Sequence, residues 1–434
     1  MVRAFSLILM IAAAAPALGQ AEVPATKLPD MVTLDDALKI FRANGLDLLI
    51  AEAAVTSAEG DVKIAGAIPN PNWQVSYSRL FFSPSSAFDS ADGFGIGLGD
   101  SNAIEDSLAG KRGLRLRVAR AALQAARLSR TDAQRTLEFQ VKQAYIQAVL
   151  ARDALDFALE VQSATTQTFE LNQIRYQKGA INEADEAKVE ATKLEADQAV
   201  DSATQALRVA KISLAFLLGV RGPIPDYKVE QDLPKYFVPG PLATATPQSL
   251  LRDAYEHRAD LKAAAAQRDR ASASVALARR MRFPDLSLNL NYQQMGGPVQ
   301  NAAQPPTLTV GIGGTLPVFY LQGGEIRKAE ADYRTTSVQR AKIEAQVAAD
   351  VEAAFTNFTA NRKLVERMES RLLDRVKRAR EIVGLQYNKG AASLLEFLDA
   401  QRQYISTNVE YLQDLTNYWT AVYQLEEAVG VDLR

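Results

Sequence analysis

Residues 176–180 read Tyr176-Gln177-Lys178-Gly179-Ala180, and residues 387–391 read Tyr387-Asn388-Lys389-Gly390-Ala391. The pentapeptides stand 211 positions apart, and each closes one very long stretch and opens another. Residues 114–178 hold neither glycine nor proline over 65 positions, and residues 325–383 hold neither over 59. Beyond each glycine a further 39 residues, 180–218 and 391–429, are equally uninterrupted. Glycine and proline are the residues that end helices, so their absence predicts four helices far above the average of about 11–12 residues. At about 1.5 Å per residue the first would reach roughly 95 Å. A glycine turn between two such helices folds them back as an antiparallel pair.

The helices carry a seam. Leu137, Val141, Ala144, Ala148, Ala151, Leu155 and Ala158 alternate steps of four and three, as do Ala196, Val200, Ala203, Leu207, Ala210, Leu214 and Leu217. That 3.5-residue period calls for a partner helix, and its many alanines let the axes approach closely. The rest of the chain repeats too. Asn44-Gly45-Leu46-Asp47-Leu48 aligns with His257-Arg258-Ala259-Asp260-Leu261 at an offset of 213, and Pro71 with Pro284 at the same offset. Leu214, Gly219 and Val220 align with Leu425, Gly430 and Val431 at 211. The organisation reads as a segment 20–32, a first repeat 33–218, a Pro-rich inter-repeat segment 219–246 and a second repeat 247–434. Each repeat is a helical segment (33–68, then 247–282), two alternating segments and two long helices.

The alternating segments have period two. Trp73, Val75 and Tyr77 alternate with Gln74, Ser76 and Ser78, and Phe94, Ile96 and Leu98 alternate with glycines. Leu286, Leu288, Leu290 and Tyr292 alternate with Ser287, Asn289 and Asn291; Leu308, Val310 and Ile312 alternate with Thr309, Gly311 and Gly313. One apolar face and one small or polar face is the pattern of an outer-membrane barrel strand, with Trp73, Tyr77, Phe81, Phe82, Tyr292, Phe319 and Tyr320 as interfacial girdle candidates. A four-stranded soluble sheet packed on the helices is the competing reading, and a soluble coiled-coil rod would explain the helices alone. Four strands cannot close around a water-filled lumen, since membrane barrels have eight or more, so a membrane sheet implies several chains sharing one barrel.

Composition removes most chemistry. Of 434 residues, 49 are Lys or Arg and 51 are Asp or Glu, a net charge of −2 that leaves no footprint for nucleic acid. There is no cysteine and one histidine, His257, which excludes thiolate zinc, Fe–S clusters, disulfides and multi-histidine metal sites. No phosphate loop, nucleophile motif or metal-ligand spacing is present, so neither enzyme activity nor a cofactor is expected. Arg3, the apolar run 4–15 and Pro16-Ala17-Leu18-Gly19 read as a signal peptide, 1–19, too short to span a bilayer as a helix. A cut after Ala21 fits nearly as well, and an N-terminal anchor helix is the alternative.

Taken together, the duplicated plan, the Tyr176–Gly179 and Tyr387–Gly390 signatures, Leu395-Glu396-Phe397-Leu398-Asp399-Ala400 and the endings Leu217-Leu218-Gly219 and Val429-Gly430 resemble the outer-membrane efflux protein (TolC-like) family. Thr315-Leu316-Pro317-Val318-Phe319 with Gly323-Gly324 looks like its second strand-to-helix junction, and Gly110-Lys111-Arg112-Gly113-Leu114-Arg115 resembles the heavy-metal (CzcC-like) branch served by RND pumps. A basic rim beside the membrane boundary accounts for the latter equally well. The resemblance implies a mainly α fold with a small β part. Three chains would form a twelve-stranded outer-membrane β-barrel continued by a twelve-helix α-barrel through the periplasm of a Gram-negative bacterium. Its implied partners are two further copies of the chain, a periplasmic adaptor, an inner-membrane RND-type pump and outer-membrane lipid. The function implied is the exit duct of a tripartite efflux system for metal ions or small toxic compounds. A type I secretion channel and a non-conducting periplasmic coiled-coil protein remain as alternatives.

The same resemblance assigns site residues. Glu396 and Asp399, three apart on one helix face, fall at the family's periplasmic constriction, where rings of carboxylates would favour cations and crowding would raise some of their pKa values. Acids near a helix N-terminus also favour its dipole, which is the structural alternative. Asp185 is the internal counterpart of Glu396, and an acid there is expected to bond Tyr387 as a latch. Ala392 stands where the family's latch arginine would be, so the charged half of that latch is missing. Gly179 and Gly390, with Lys178 and Lys389, mark the periplasmic tips expected to meet the adaptor.

Overall fold

The structure, a computed structural model, describes residues 26–79, 92–229, 233–295, 305–315 and 317–433. Phe81, Phe82 and residues 1–19, read above as a signal peptide, lie outside the described residues. In chain order the elements are β1 (Met31–Val32), α1 (Leu34–Asn44), α2 (Leu46–Gly66), β2 (Asn72–Arg79), β3 (Asp92–Gly99), α3 (Ala103–Leu108), α4 (Lys111–Gln177) and α5 (Glu183–Leu217). There follow β4 (Lys228–Val229), α6 (Gly240–Ala243), α7 (Pro247–His257), α8 (Ala259–Arg280), β5 (Leu286–Met295) and β6 (Thr307–Gly314). The last are α9 (Gly323–Arg367), a π-helical turn Met368–Leu372, α10 (Leu373–Asn388) and α11 (Leu394–Val429).

The four long runs are helical, and α4 is one unbroken helix of 67 residues. Its counterpart is not: the π turn divides α9 from α10. The extra backbone residue of a π turn shifts the helix face, and nothing in glycine or proline content marks the spot. The segments 33–68 and 247–282 each break once, at Gly45 and at Arg258. Thr33 and Thr246 start them with capping boxes, to Asp36 and Ser249.

The four longer strands form one antiparallel sheet in the order β2-β3-β5-β6. Register lays Trp73, Leu98, Leu290 and Val310 in one row across the sheet and Val75, Ile96, Tyr292 and Leu308 in the next. All of these side chains are exposed; no helix covers them. The intervening rows, Gln74-Gly97-Asn291-Thr309 and Ser76-Gly95-Gln293-Thr307, form the small and polar face. A β-carbon on Gly97 would run into the Asn291 amide, so the glycines make room for polar neighbours. Among the described residues β2 and β6 are edges without a further strand.

The core lies at the waist, where the two repeats meet. Val141, Tyr145 and Val149 of α4 pack with Val351, Ala354 and Phe358 of α9 and with Tyr418, Trp419 and Val422 of α11. The Pro-rich segment, which carries the short β4 and α6 among its described residues, is strapped into this core. Trp419 Nε1 donates to the Pro234 carbonyl at 2.8 Å, Tyr418 Oη to the Phe237 carbonyl at 2.7 Å, and Tyr227 Oη to the Lys211 carbonyl at 2.6 Å. β4 pairs in parallel with β1, tying the start of the described chain to the same belt. Buried charges are paired: Lys142 meets Glu426 at 2.6 Å, and Arg258 meets Asp260 at 2.6 Å and Asp350 at 2.8 Å.

Candidate functional site at the helical tips

Both tips are built alike because their sequences are. Gly179 and Gly390 take φ of 68° and 76°, a left-handed conformation that glycine enters without a steric penalty. The next amides, Ala180 and Ala391, donate back to the carbonyls of Arg175 and Gln386 at 2.8 Å each. This pattern satisfies the carbonyls at a helix C-terminus. Three residues after each glycine a cap starts the return helix. Asn182 accepts from the Asp185 amide at 2.8 Å, and Ser393 from the Glu396 amide at 3.3 Å. Lys178 and Lys389 are exposed at the C-terminal caps, facing solvent at the extreme of each tip.

Glu396 and Asp399 are both exposed on the first turns of α11. Glu396 closes a capping box: its carboxylate accepts the Ser393 amide at 2.7 Å and the Ser393 hydroxyl at 2.9 Å. Those two donors hold its carboxyl below the usual glutamate range. Within one chain this is opposite to the upward shift expected from crowded carboxylates. Asp185 makes no equivalent return bond to Asn182 among the described residues and meets Lys188 at 3.4 Å.

The expected bond from Tyr387 to Asp185 is not made within the chain. The Tyr387 hydroxyl, buried, donates instead to Asn172 Oδ1 at 2.6 Å. Asn172 is itself fully buried on α4, and its amide nitrogen donates to the Thr168 carbonyl at 2.8 Å. The Phe397 ring stacks on Tyr387, with centroids 4.9 Å apart and planes 9° from parallel. The Arg175 guanidinium lies 5.2 Å from the same ring. So a guanidinium does reach the tyrosine, from the first repeat rather than from position 392.

The sequence held a signal for Asn172. Continued past Ala158, the four-three seam runs through Gln162, Thr165, Phe169 and Asn172, which puts an asparagine at a core position. A lone buried asparagine in a coiled-coil seam fixes register by demanding a specific partner. Arg175 had no comparable mark, because its contact with Tyr387 joins two distant repeats, and Phe397 stacks on Tyr387 across the turn of its own repeat. No group of three or more His, Cys, Asp or Glu side chains able to hold a metal stands together among the described residues.

Comparison with known proteins bears on the whole chain. The model of the family described as outer membrane efflux protein matches residues 37–220 and 250–431, one block for each repeat. The cobalt-zinc-cadmium resistance protein CzcC of Cupriavidus metallidurans is 22% identical, covering 92% of this chain and 90% of its own. The pyoverdine export outer membrane protein OpmQ of Pseudomonas putida is 27% identical, over 85% of this chain and 79% of its own. Among solved structures, the Campylobacter jejuni outer membrane channel CmeC superposes with a TM-score of 0.76 at 18% identity, covering 92% of this chain and 85% of that one.

Proposed function

The chain belongs to the outer membrane efflux protein family, and from that premise we propose that three copies form the passive outer-membrane duct of a tripartite efflux system. The observation that carries the assembly is the sheet. Among the described residues it has four strands, two open edges, an uncovered apolar face and a small polar face. Such a sheet leaves two rows of backbone donors and acceptors unpaired, which no bilayer tolerates. Pairing β6 of each copy with β2 of the next satisfies them, turns the apolar rows toward lipid and closes a twelve-stranded barrel around the polar rows. The helices then continue that ring as an α-barrel. The duct does no chemistry; an inner-membrane pump supplies the energy, and a periplasmic adaptor meets the tips around Lys178-Gly179 and Lys389-Gly390.

Glu396 and Asp399 form the cation-favouring constriction in this reading, and the buried Tyr387–Asn172 pair holds it shut. Opening is an outward rotation of one tip pair against the other, a bistable packing change biased by docking. The names of the relatives favour metal cations or a small exported compound as cargo, and selection falls to the pump, since this chain offers no soft-metal ligand set. The test is mass and conductance. Detergent-purified protein should run at three times the chain mass and give small cation-selective events in a planar bilayer. Recovery as a monomer without detergent, and no conductance, would move the reading to a periplasmic coiled-coil protein.

A further inference from the structure

Between the last strand of the first sheet pair and the long helix α4 sits α3, six residues with a charged side and an apolar side. Its described acid, Asp106, is paired. The buried Asp106 carboxylate takes both Arg115 guanidinium nitrogens, at 2.7 and 2.5 Å, which fastens α3 to the start of α4. Asp100 accepts from the amides of Asn102 and Ile104, each at 3.2 Å, and from the Leu288 amide at 2.8 Å, which fastens the same turn to β5. These donors hold the Asp100 carboxyl below its usual range. The turn itself is strained: Ser101 and Asn102 both have positive φ, 51° and 67°. The chain therefore holds an unfavourable backbone in place, and what that presents outward is Ile104 and Leu108. Leu108 is 83% exposed.

These two side chains are not isolated. They share one wall of a groove of about 570 Å³ with Phe283, Leu286, Leu288 and Ile312. The last three belong to the apolar face of the sheet, so the groove is a continuation of that face at its helical end. Its volume lies in the ordinary range for a bound small molecule, about 300–1,000 Å³. Arg280 closes the groove on the helical side, with its Nε donating to the Ala109 carbonyl at 2.6 Å and its guanidinium 4.5 Å from the Phe283 ring centroid. Among the described residues Arg280 has no carboxylate partner, and Arg282 beside it is exposed.

We propose that α3 is an interfacial foot and that the groove beneath it seats the acyl chain of a phospholipid from the periplasmic leaflet of the outer membrane, its phosphate against Arg280 and Arg282. The inference rests on the barrel reading, because it takes the apolar rows of the sheet to face lipid. Apolar continuity and charge then agree on the occupant: an acyl chain lies along leucine and isoleucine, and an anionic headgroup meets guanidinium at the water boundary. The foot also supplies a second hold on the membrane. The strands that make the first hold are eight to ten residues long.

The missing cysteines make the experiment clean. Leu108→Cys and, separately, Ile96→Cys are labelled with an environment-sensitive fluorophore on the purified trimer, which is then placed in vesicles of phosphatidylethanolamine and phosphatidylglycerol. Ile96 reports the middle of the strand face. The expected result is a blue shift at both positions and loss of most emission from both when doxyl-labelled phospholipid is added. Adding Arg280→Gln to Leu108→Cys should weaken quenching at 108 and leave that at 96 unchanged. Quenching at 96 with a 108 label open to aqueous iodide would overturn the foot and leave the barrel standing. Protection of 108 from both quenchers would mean that protein covers the groove, which also overturns it. No quenching at either position would overturn the barrel reading itself.

Discussion

The Tyr387 hydroxyl donates to the Oδ1 atom of Asn172 at 2.6 Å, and with both residues buried this is the hydrogen bond that joins the tips of the two repeats among the described residues. The bond contains no carboxylate and no imidazole. A latch built on a carboxylate would answer to acid; this one is a hydroxyl donating to an amide oxygen. Channel open probability should therefore stay flat from about pH 5 to 8, the range in which histidine is the ordinary titrating side chain. Tyr387→Phe strands the Asn172 oxygen in a dry site, a loss of about 1–3 kcal/mol, and should raise open probability at every pH in that range. Single-channel recording of the two proteins settles it: a steep pH dependence in the wild type, or equal open times in the variant, would remove the latch.

Glu396 has two roles that substitution can separate. Its carboxylate caps α11 through Ser393, and its charge contributes to the proposed cation-favouring constriction. Because the folded state holds its pKa down, the stability it lends is present above the usual glutamate range and lost as pH falls through the depressed value. Glu396→Gln keeps the capping box and drops the charge, whereas Glu396→Ala drops both. Combined with Asp399→Asn, both should lower cation selectivity in bilayer recordings, and the alanine variant alone should also lose thermal stability. Selectivity that survives the glutamine variant would leave Glu396 with a structural role only.

What could be read in advance divides along one line. Features set by the local chain were legible: helix length from the absence of glycine and proline, turns from Gly179 and Gly390, sheet faces from the alternation at Trp73–Tyr77 and Leu286–Tyr292. Features set by contact between the repeats were not. That the Tyr387 hydroxyl reaches Asn172 and not Asp185 is decided by packing between helices, which no local pattern records. The π turn at Met368–Leu372 was not legible either, since α4 shows that an equally uninterrupted sequence can run unbroken. The Pro-rich segment was not legible as a structural belt, because its anchors are Tyr418 and Trp419, about 180 residues away.

Gly219 and Gly430 end equivalent helices with φ of 80° and 83°, yet their surroundings differ. A β-carbon at Gly219 would collide with the Asn44 carbonyl, while at Gly430 the nearest atoms, of Arg258, lie at 3.6 Å. An alanine at either position bears the left-handed penalty of about 1–2 kcal/mol. Gly219→Ala adds a clash with backbone that cannot swing aside, so it should lower the melting temperature distinctly more than Gly430→Ala. Equal losses by thermal unfolding of the purified variants would show that the α1 end yields easily.

Arg258 is the polar node of the second repeat, and the first repeat has Gly45 in its place. It holds Asp260 in a two-point contact at 2.6 and 3.0 Å, reaches Asp350 of α9 at 2.8 Å, and donates to the Ala428 carbonyl of α11 at 3.3 Å. Three helices thus meet on one guanidinium. Burial pushes the Asp260 carboxyl up, and the hydrogen bonds and charge of Arg258 outweigh it, so the net shift is down. Replacing Arg258 with methionine leaves two carboxylates facing a partly dry site without their counter-charge, a loss of about 3–5 kcal/mol. The sign of the pH dependence follows from the depressed Asp260. Its stabilisation is present above the usual aspartate range, near pH 4, and disappears as pH falls through the lower folded value. Wild type and Arg258→Met should therefore differ most in thermal midpoint at neutral pH and converge on acidification. A gap of constant size from neutral to acid would mean that Arg258 acts by packing its stem rather than by pairing charge.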